Sequence, residues 1–409
     1  MPRRVVITGR GIVSCIGNTL GQVAVALRQE KSGIERVAEF ADAGLRSEVA
    51  GVPRLDGLPA AERKLRRFMP DAALYAYHAA RAAIAEAGLG PSELAERRTG
   101  LIVGSGSSPS LEMADNVALA RSQGARKVPP YAVPRLMGNT TSANLASAFG
   151  IRGPSYSIVS ACATSSHCIG HGAELIQLGK LDRVIAGGAD EVRWTTALMF
   201  DAMRALSSHY NDRPHAASRP YDSGRDGFVL AGGAGIVVLE ELESALARGA
   251  RPLAELVGYG ASSDGGDMVV PSPAGIAQAM RAALAEAGLS GVDYVNTHAT
   301  GTAAGDIAEV QAMRELFGDA VPPFSSTKGL TGHAVAASGA QEAIYCLLMI
   351  EQGFIAGCAN LEELDPAVRE MPIVRATRAA RLGTVMSNSL GFGGTNACLI
   401  FRQWRDAPG

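Results

Sequence analysis

The chain has 409 residues, 47% of them hydrophobic and 19% charged, with a formal net charge of -2. The length exceeds one ordinary core and suits two domains or fused halves of about 200 residues each, while the apolar balance excludes disorder. The near-neutral charge excludes a global basic field for nucleic acid, and no apolar run reaches the ~18 residues that would suggest a membrane span.

A strand is predicted over residues 5–8, where Val5-Val6-Ile7-Thr8 is apolar on both faces. The run is too short for a signal peptide, so a cytoplasmic protein with reduced thiols is expected. Gly9-Arg10-Gly11 imitates a dinucleotide loop, but Ser14 stands where the third glycine would be, so the segment reads as a turn. Arg63-Lys64-Leu65-Arg66-Arg67 concentrates positive charge before a helix predicted over 71–87. A strand over 100–103 leads into Gly104-Ser105-Gly106-Ser107-Ser108, which lacks the lysine of a phosphate loop. Arg121, Arg126 and Lys127 form a second basic cluster.

A strand predicted over 157–160 is followed by Cys162 at a corner, ahead of a helix over 165–178. This stretch holds Cys162, His167, Cys168 and His171. On one helix the last three would point about 140°, 240° and 180° away from Cys162, so the four do not converge as a tetrahedral metal site requires. Cys162 instead occupies a corner of small residues, where free backbone N–H groups and the helix dipole favour a thiolate. A buried structural thiol is the competing reading for any single cysteine, and it is the reading for Cys168.

Strands over 183–186 and 235–239 close the first half, and a boundary falls near residue 250. The second half is predicted as a strand over 253–257, a helix over 275–287, a strand over 294–297, helices over 307–317 and 338–352, and strands over 384–387 and 397–401. This alternation gives an α/β class, with halves 1–250 and 251–409. The helix endings at Leu178-Gly179 and Gln352-Gly353, each followed by an apolar run and Ala-Gly, are either a trace of duplication or chance similarity. His298 and His333 each follow an apolar strand pattern, at the kind of position where open α/β sheets carry ligand sites. Residues 388–396 form a Gly-rich loop whose amides suit close approach to a carbonyl.

These motifs resemble one family. Val6-Ile7-Thr8-Gly9, Ser160-Ala161-Cys162-Ala163-Thr164-Ser165, Tyr221-Asp222, Arg225-Asp226-Gly227-Phe228, the run from His298 to Asp306, Lys328 through His333, and Gly391-Phe392-Gly393-Gly394-Thr395-Asn396 are similar to the elongating β-ketoacyl-acyl carrier protein synthases. Ala231-Gly232-Gly233 and Met199-Phe200-Asp201-Ala202-Met203 are similar to the synthase I branch. The resemblance implies a thiolase-like, five-layer α-β-α-β-α fold from two similar βαβαβαβ halves, and a homodimer. It implies an acyltransferase that holds an acyl chain on Cys162 and condenses it with decarboxylated malonyl-carrier protein.

By the same resemblance, His298 and His333 donate hydrogen bonds to the enolate, with Lys328, Glu342 and Asp306 in support. Cys162 and Phe392 backbone N–H groups form the oxyanion hole, and Gly391, Phe392 and Gly393 gate the thiol. Met137 and Phe200 line an acyl pocket. Arg63, Lys64, Arg66, Arg67, Arg126 and Lys127 dock an acidic acyl carrier protein, whose phosphopantetheine arm makes any further cofactor unnecessary. No metal is expected in the chemistry, although a monovalent cation near Asn296, Glu342, Ser387 and Asn388 belongs to the same analogy. Ala299 stands where the family usually has glycine. The alternatives are a ketosynthase of a dedicated polyketide or aryl-polyene pathway, and a non-catalytic scaffold on the same fold.

Overall fold

The structure is a computed structural model, and it describes residues 2–405. Ten strands form its main sheet: β1 (Val5–Val13), β2 (Thr99–Gly104), β3 (Ser155–Tyr156), β4 (Arg183–Asp190), β5 (Gly233–Glu241), β6 (Ala254–Ser263), β7 (Tyr294–Asn296), β8 (Phe324–Ser325), β9 (Thr384–Gly391) and β10 (Thr395–Gln403). Their spatial order is β8-β7-β9-β10-β6-β1-β5-β4-β2-β3. Read from each outer edge inward, the first five strands run 3-2-4-5-1 and the last five run 8-7-9-10-6. The pairings repeat as well. β2 is parallel to β3 and β4, while β5 is antiparallel to β4 and β1; β7 to β10 and β6 repeat this pattern. Within the main sheet the two blocks join where β1 pairs with β6, at Val6 opposite Glu255 and Ile7 opposite Ala254.

Six helices complete the layers: α1 (Asp71–Ala87), α2 (Thr140–Phe149), α3 (Thr164–Gln177), α4 (Pro273–Ala287), α5 (Ala303–Phe317) and α6 (Ser338–Gln352). Helix α1 packs on β1, β4 and β5, with α2 beside it; α4 packs on β6 and β10, with α5 beside it. Helices α3 and α6 lie between the blocks and touch strands of both. Every residue of α6 from Ser338 to Ile350 is buried, as a helix enclosed on all sides must be. The result is helix, sheet, helix, sheet, helix, with separate apolar clusters under α1, around α3 and α6, and under α4. Strand β1 is buried along its whole length and runs past the predicted 5–8. Gly9-Arg10-Gly11, read from the sequence as a turn, stays in the ladder opposite β5, with α1 packed too close for a side chain at either glycine and Arg10 paired to Glu86 and Glu351.

Helices predicted over 71–87 and 338–352 have those bounds. The strand predicted over 157–160 does not form. Pairing with β2 ends at Tyr156, opposite Ile102, because the chain then turns off the sheet edge. The Ser157 hydroxyl donates to the Val103 carbonyl instead, at 2.7 Å. This departure brings the following corner over the end of the sheet. Among the described residues, no helix is long and apolar enough to cross a membrane.

Candidate active site

Cys162 lies in the middle of a short 3-10 turn, Ala161–Ala163, directly ahead of α3. Ala161 has φ +48°, a left-handed conformation that makes the corner sharp. The corner is tied locally: the Thr164 hydroxyl accepts from the Ser160 N–H at 2.8 Å, and the Ser160 hydroxyl meets His167 Nδ1 at 2.7 Å. Cys168 is buried in the central cluster. His171 contacts the Tyr156 hydroxyl at 3.0 Å and Glu174 at 3.2 Å. The four Cys and His residues of this stretch therefore face different partners.

The second half supplies the other groups. His298 follows β7, and Glu309 of α5 fixes it by accepting the His298 and Ala299 backbone N–H groups, both at 2.9 Å. Ala299 is not among the residues with left-handed backbone, so the position does not demand glycine. His333 Nε2 lies 2.9 Å from Cys162 Sγ, and His333 Nδ1 lies 3.0 Å from the Ser338 hydroxyl at the start of α6. The two imidazoles meet edge to face, with ring centroids 5.0 Å apart. Ligand-type atoms of Cys162, His298 and His333 all lie within 4.8 Å of one another.

Lys328 is buried and ion-pairs with the buried Glu342. Burial, with help from the Lys328 charge, holds both histidines well below their ordinary value, so they are neutral. That charge also opposes a cation among the three. The thiol behaves differently from the sequence expectation. The residue is partly buried at the cavity wall; desolvation pushes its thiol up to about 12, with the Asp190 charge adding to the rise, although the Lys328 charge and the Phe392 and Cys162 backbone N–H groups pull it down. Desolvation outweighs the corner's favourable dipoles here. His333 Nε2, 2.9 Å from the sulfur, is the neighbouring group placed to take its proton.

The thiol opens into a cavity of about 200 Å³, lined by Phe200, Phe228, His298, His333, Gly391 and Phe392 among others. Gly391 has little alternative there: a Cβ on it would fall 2.9 Å from the Ser160 carbonyl and 3.2 Å from the Cys162 nitrogen. Met137 does not line this cavity, and neither does Gly393. Asp306 stands behind the loop after His298, where Oδ1 accepts the N–H groups of Thr300, Gly301 and Thr302 at 3.0 to 3.3 Å.

Glu309 and Ser338 escaped the sequence reading. Glu309 left one signal, since it follows Asp306 by three residues and shares its helix face. Ser338 left none, because only folding places its hydroxyl on His333. Buried oxygens without hydrogen-bond partners among the described residues include Asn296 Oδ1, Glu342 Oε2, Ser387 Oγ and Asn388 Oδ1. Asn296 and Ser387 are register partners on β7 and β9, which puts these two side chains on one face of the sheet, whereas Asn388, the next residue along β9, turns its amide to Glu309 on the other.

On the surface, Arg63, Lys64 and Arg66 form a single helical turn, and Arg126 and Lys127 another short turn. Phe68 and Tyr131 pack edge to face at 5.5 Å, and Arg135 donates to the Arg67 carbonyl at 3.1 Å, which joins the segments that carry these charges.

Residues 2–245 match the β-ketoacyl synthase N-terminal domain, and residues 253–362 match the C-terminal domain. The chain belongs to the β-ketoacyl synthase family. It is 52% identical to 3-oxoacyl-[acyl-carrier-protein] synthase 1 of Haemophilus influenzae, over 98% of this chain and 99% of that protein. A crystal structure of a β-ketoacyl synthase from Burkholderia phymatum superposes with a TM-score of 0.93 at 36% identity, covering 98% of this chain and all of the other. A type II polyketide-synthase acyl-carrier protein in complex with its ketosynthase matches with a TM-score of 0.90 at 27% identity, covering 99% of this chain and 100% of the matched one. These neighbours are ketosynthases, and the layers described above are the thiolase-like arrangement of that family.

Proposed function

We propose that this chain is a 3-oxoacyl-acyl carrier protein synthase that extends acyl chains in fatty acid elongation. The observation that carries the reading is the meeting of Cys162, His298 and His333 within 4.8 Å at an apolar cavity. The Cys162 sulfur attacks the carbonyl of an acyl-carrier thioester and expels the phosphopantetheine thiol. The Cys162 and Phe392 N–H groups stabilise the oxyanion. Malonyl-carrier protein then enters and loses CO2. The resulting enolate oxygen takes hydrogen bonds from the neutral His298 and His333 rings, each of which has one N–H to give. The enolate carbon attacks the acyl carbonyl and releases the Cys162 thiolate. Phosphopantetheine arrives on the substrate, and no further cofactor enters this sequence.

Several finer readings go with it. The halves divide near residue 250, the chain works as a cytoplasmic homodimer, and Gly391, Phe392 and Gly393 gate the thiol. Phe200 and Met137 belong to the acyl pocket, with Met137 reaching it only through a partner or a rearrangement. A monovalent cation held by Asn296, Glu342 and Ser387 would balance the Glu342 oxygen that Lys328 leaves free. Elongation is favoured over a polyketide pathway because the relative named as a synthase 1 is 52% identical, against 27% for the polyketide ketosynthase complex.

Intact-mass measurement after incubation with acyl-carrier protein tests the reading. One acyl group should appear on the wild-type chain and vanish in Cys162→Ala. Absence of any adduct on the wild type would reject it in favour of a non-catalytic scaffold.

A further inference from the structure

Asp190 ends β4 with only 2% of its surface exposed, and no step above uses it. Its Oδ2 accepts two backbone N–H groups from opposite blocks, Gly106 and Ala336, each at 3.2 Å. Its Oδ1 accepts the Glu191 N–H at 3.3 Å. Gly106 follows β2, whereas Ala336 is the centre of a 3-10 turn, Val335–Ala337. That turn connects His333 to Ser338, the residue whose hydroxyl holds the His333 ring.

The turn is the counterpart of the nucleophile corner: Val335 has φ +46° and Ala161 has φ +48°. The corner at Cys162 is secured by its own neighbours, Ser160, Thr164 and His167. The second turn starts with a β-branched residue in the left-handed region, an outlier that persists only when its surroundings enforce it. The grip on this turn comes from across the seam, through Asp190. Gly106 is matched to it, because a Cβ there would lie 2.7 Å from Asp190 Oδ2 and 3.3 Å from Val335 Cγ1.

We infer that Asp190 is a positioning residue for the condensation: it clamps the 335–337 turn to the loop after β2, and so holds His333 beside the Cys162 sulfur. The inference rests on the reading of Cys162 and His333 given above. Burial raises the Asp190 carboxyl itself to about 7, with Glu191 beside it; above that pH its charge pushes the Cys162 thiol upward, against Lys328, which acts on the same thiol with opposite sign.

Asp190→Ala, Asp190→Asn and Gly106→Ala, assayed in the full chain, test the assignment. For Asp190→Ala, which leaves both clamp N–H groups without an acceptor, the kcat of condensation should fall about tenfold with KM for malonyl-carrier protein unchanged, the signature of lost positioning, whereas Asp190→Asn, which keeps one accepting oxygen, should lose less. Removing a negative charge near the thiol should also move the pH profile of Cys162 alkylation by iodoacetamide about one unit lower. Gly106→Ala displaces the carboxylate but keeps its charge, so kcat should fall while the alkylation profile stays in place. It decides the matter if Asp190→Ala does not fold. A fall in kcat that merely follows a lowered Tm, with the Asp190→Asn profile unmoved, overturns the inference, as does wild-type kcat in Gly106→Ala. Failure of the wild type to acylate Cys162 would instead reject the underlying reading.

Discussion

Lys328 and Glu342 show how single residues set the chemistry. Both are buried, and each is the other's charge partner. Lys328→Ala should cost about 3–5 kcal/mol of stability, since it leaves Glu342 as an uncompensated buried carboxylate. Chemical denaturation measures that loss. Lys328→Ala together with Glu342→Ala should recover part of it. Glu191, the neighbour of Asp190, offers a pH test. Burial raises its carboxyl to about 7, with Asp71 and Asp190 adding to the effect. A raised pKa means that the folded state holds a proton the unfolded state has lost. The contribution is therefore fully present below the unfolded value of about 4.3 and disappears as pH rises through 7. Glu191→Gln keeps its amide at every pH. Its Tm relative to wild type should climb between pH 5 and pH 8, and a constant difference would contradict the assignment.

At the scale of elements, the site depends on loops anchored by helix N-termini. Asp306, in the first turn of α5, gathers three consecutive N–H groups of the loop after His298 and also accepts the Tyr221 N–H at 2.9 Å. Arg225 lies 3.6 Å from the same carboxylate. Asp306→Ala would strand all four N–H groups and weaken the seat of His298. Condensation should fall at least tenfold and hydrogen exchange across residues 300–302 should accelerate. Asp306→Asn retains one accepting oxygen and should lose less on both measures.

At the scale of the whole molecule, the reacting groups lie on a seam between two equivalent blocks. The first block brings Cys162 on its corner, and the second brings His298, His333 and the hairpin of Phe392. The basic turns at 63–67 and 125–127 lie on the first block, joined by the Phe68–Tyr131 contact. Reversing Arg66 and Arg67 to Glu should raise KM for carrier-bound substrate at low salt and leave small thioester mimics unaffected, because steering by exposed charge is screened by salt. Equal KM values for variant and wild type would remove the docking surface from this face.

Much of this was legible in the chain itself. The apolar run Val5–Ile7 foretold the start of the buried strand β1 but not its continuation through Gly9-Arg10-Gly11, and the apolar run Ala343–Ile350 goes with the uniform burial of α6. Cys162, His298, His333 and the Gly-rich loop stood out by residue type and by their places after strand patterns. Long-range geometry decided the rest. The sequence reading made 157–160 a strand, whereas side-chain hydrogen bonds take that segment off the sheet edge. It made the thiol easy to ionise, whereas desolvation at the cavity wall pushes it up to about 12. Glu309 on the His298 backbone, Ser338 on the His333 ring and Asp190 across the seam became visible only once distant residues met. Local pattern determines which face of an element is apolar, but burial and partnership arise when the two blocks close on each other, and those set the site's charges and orientation.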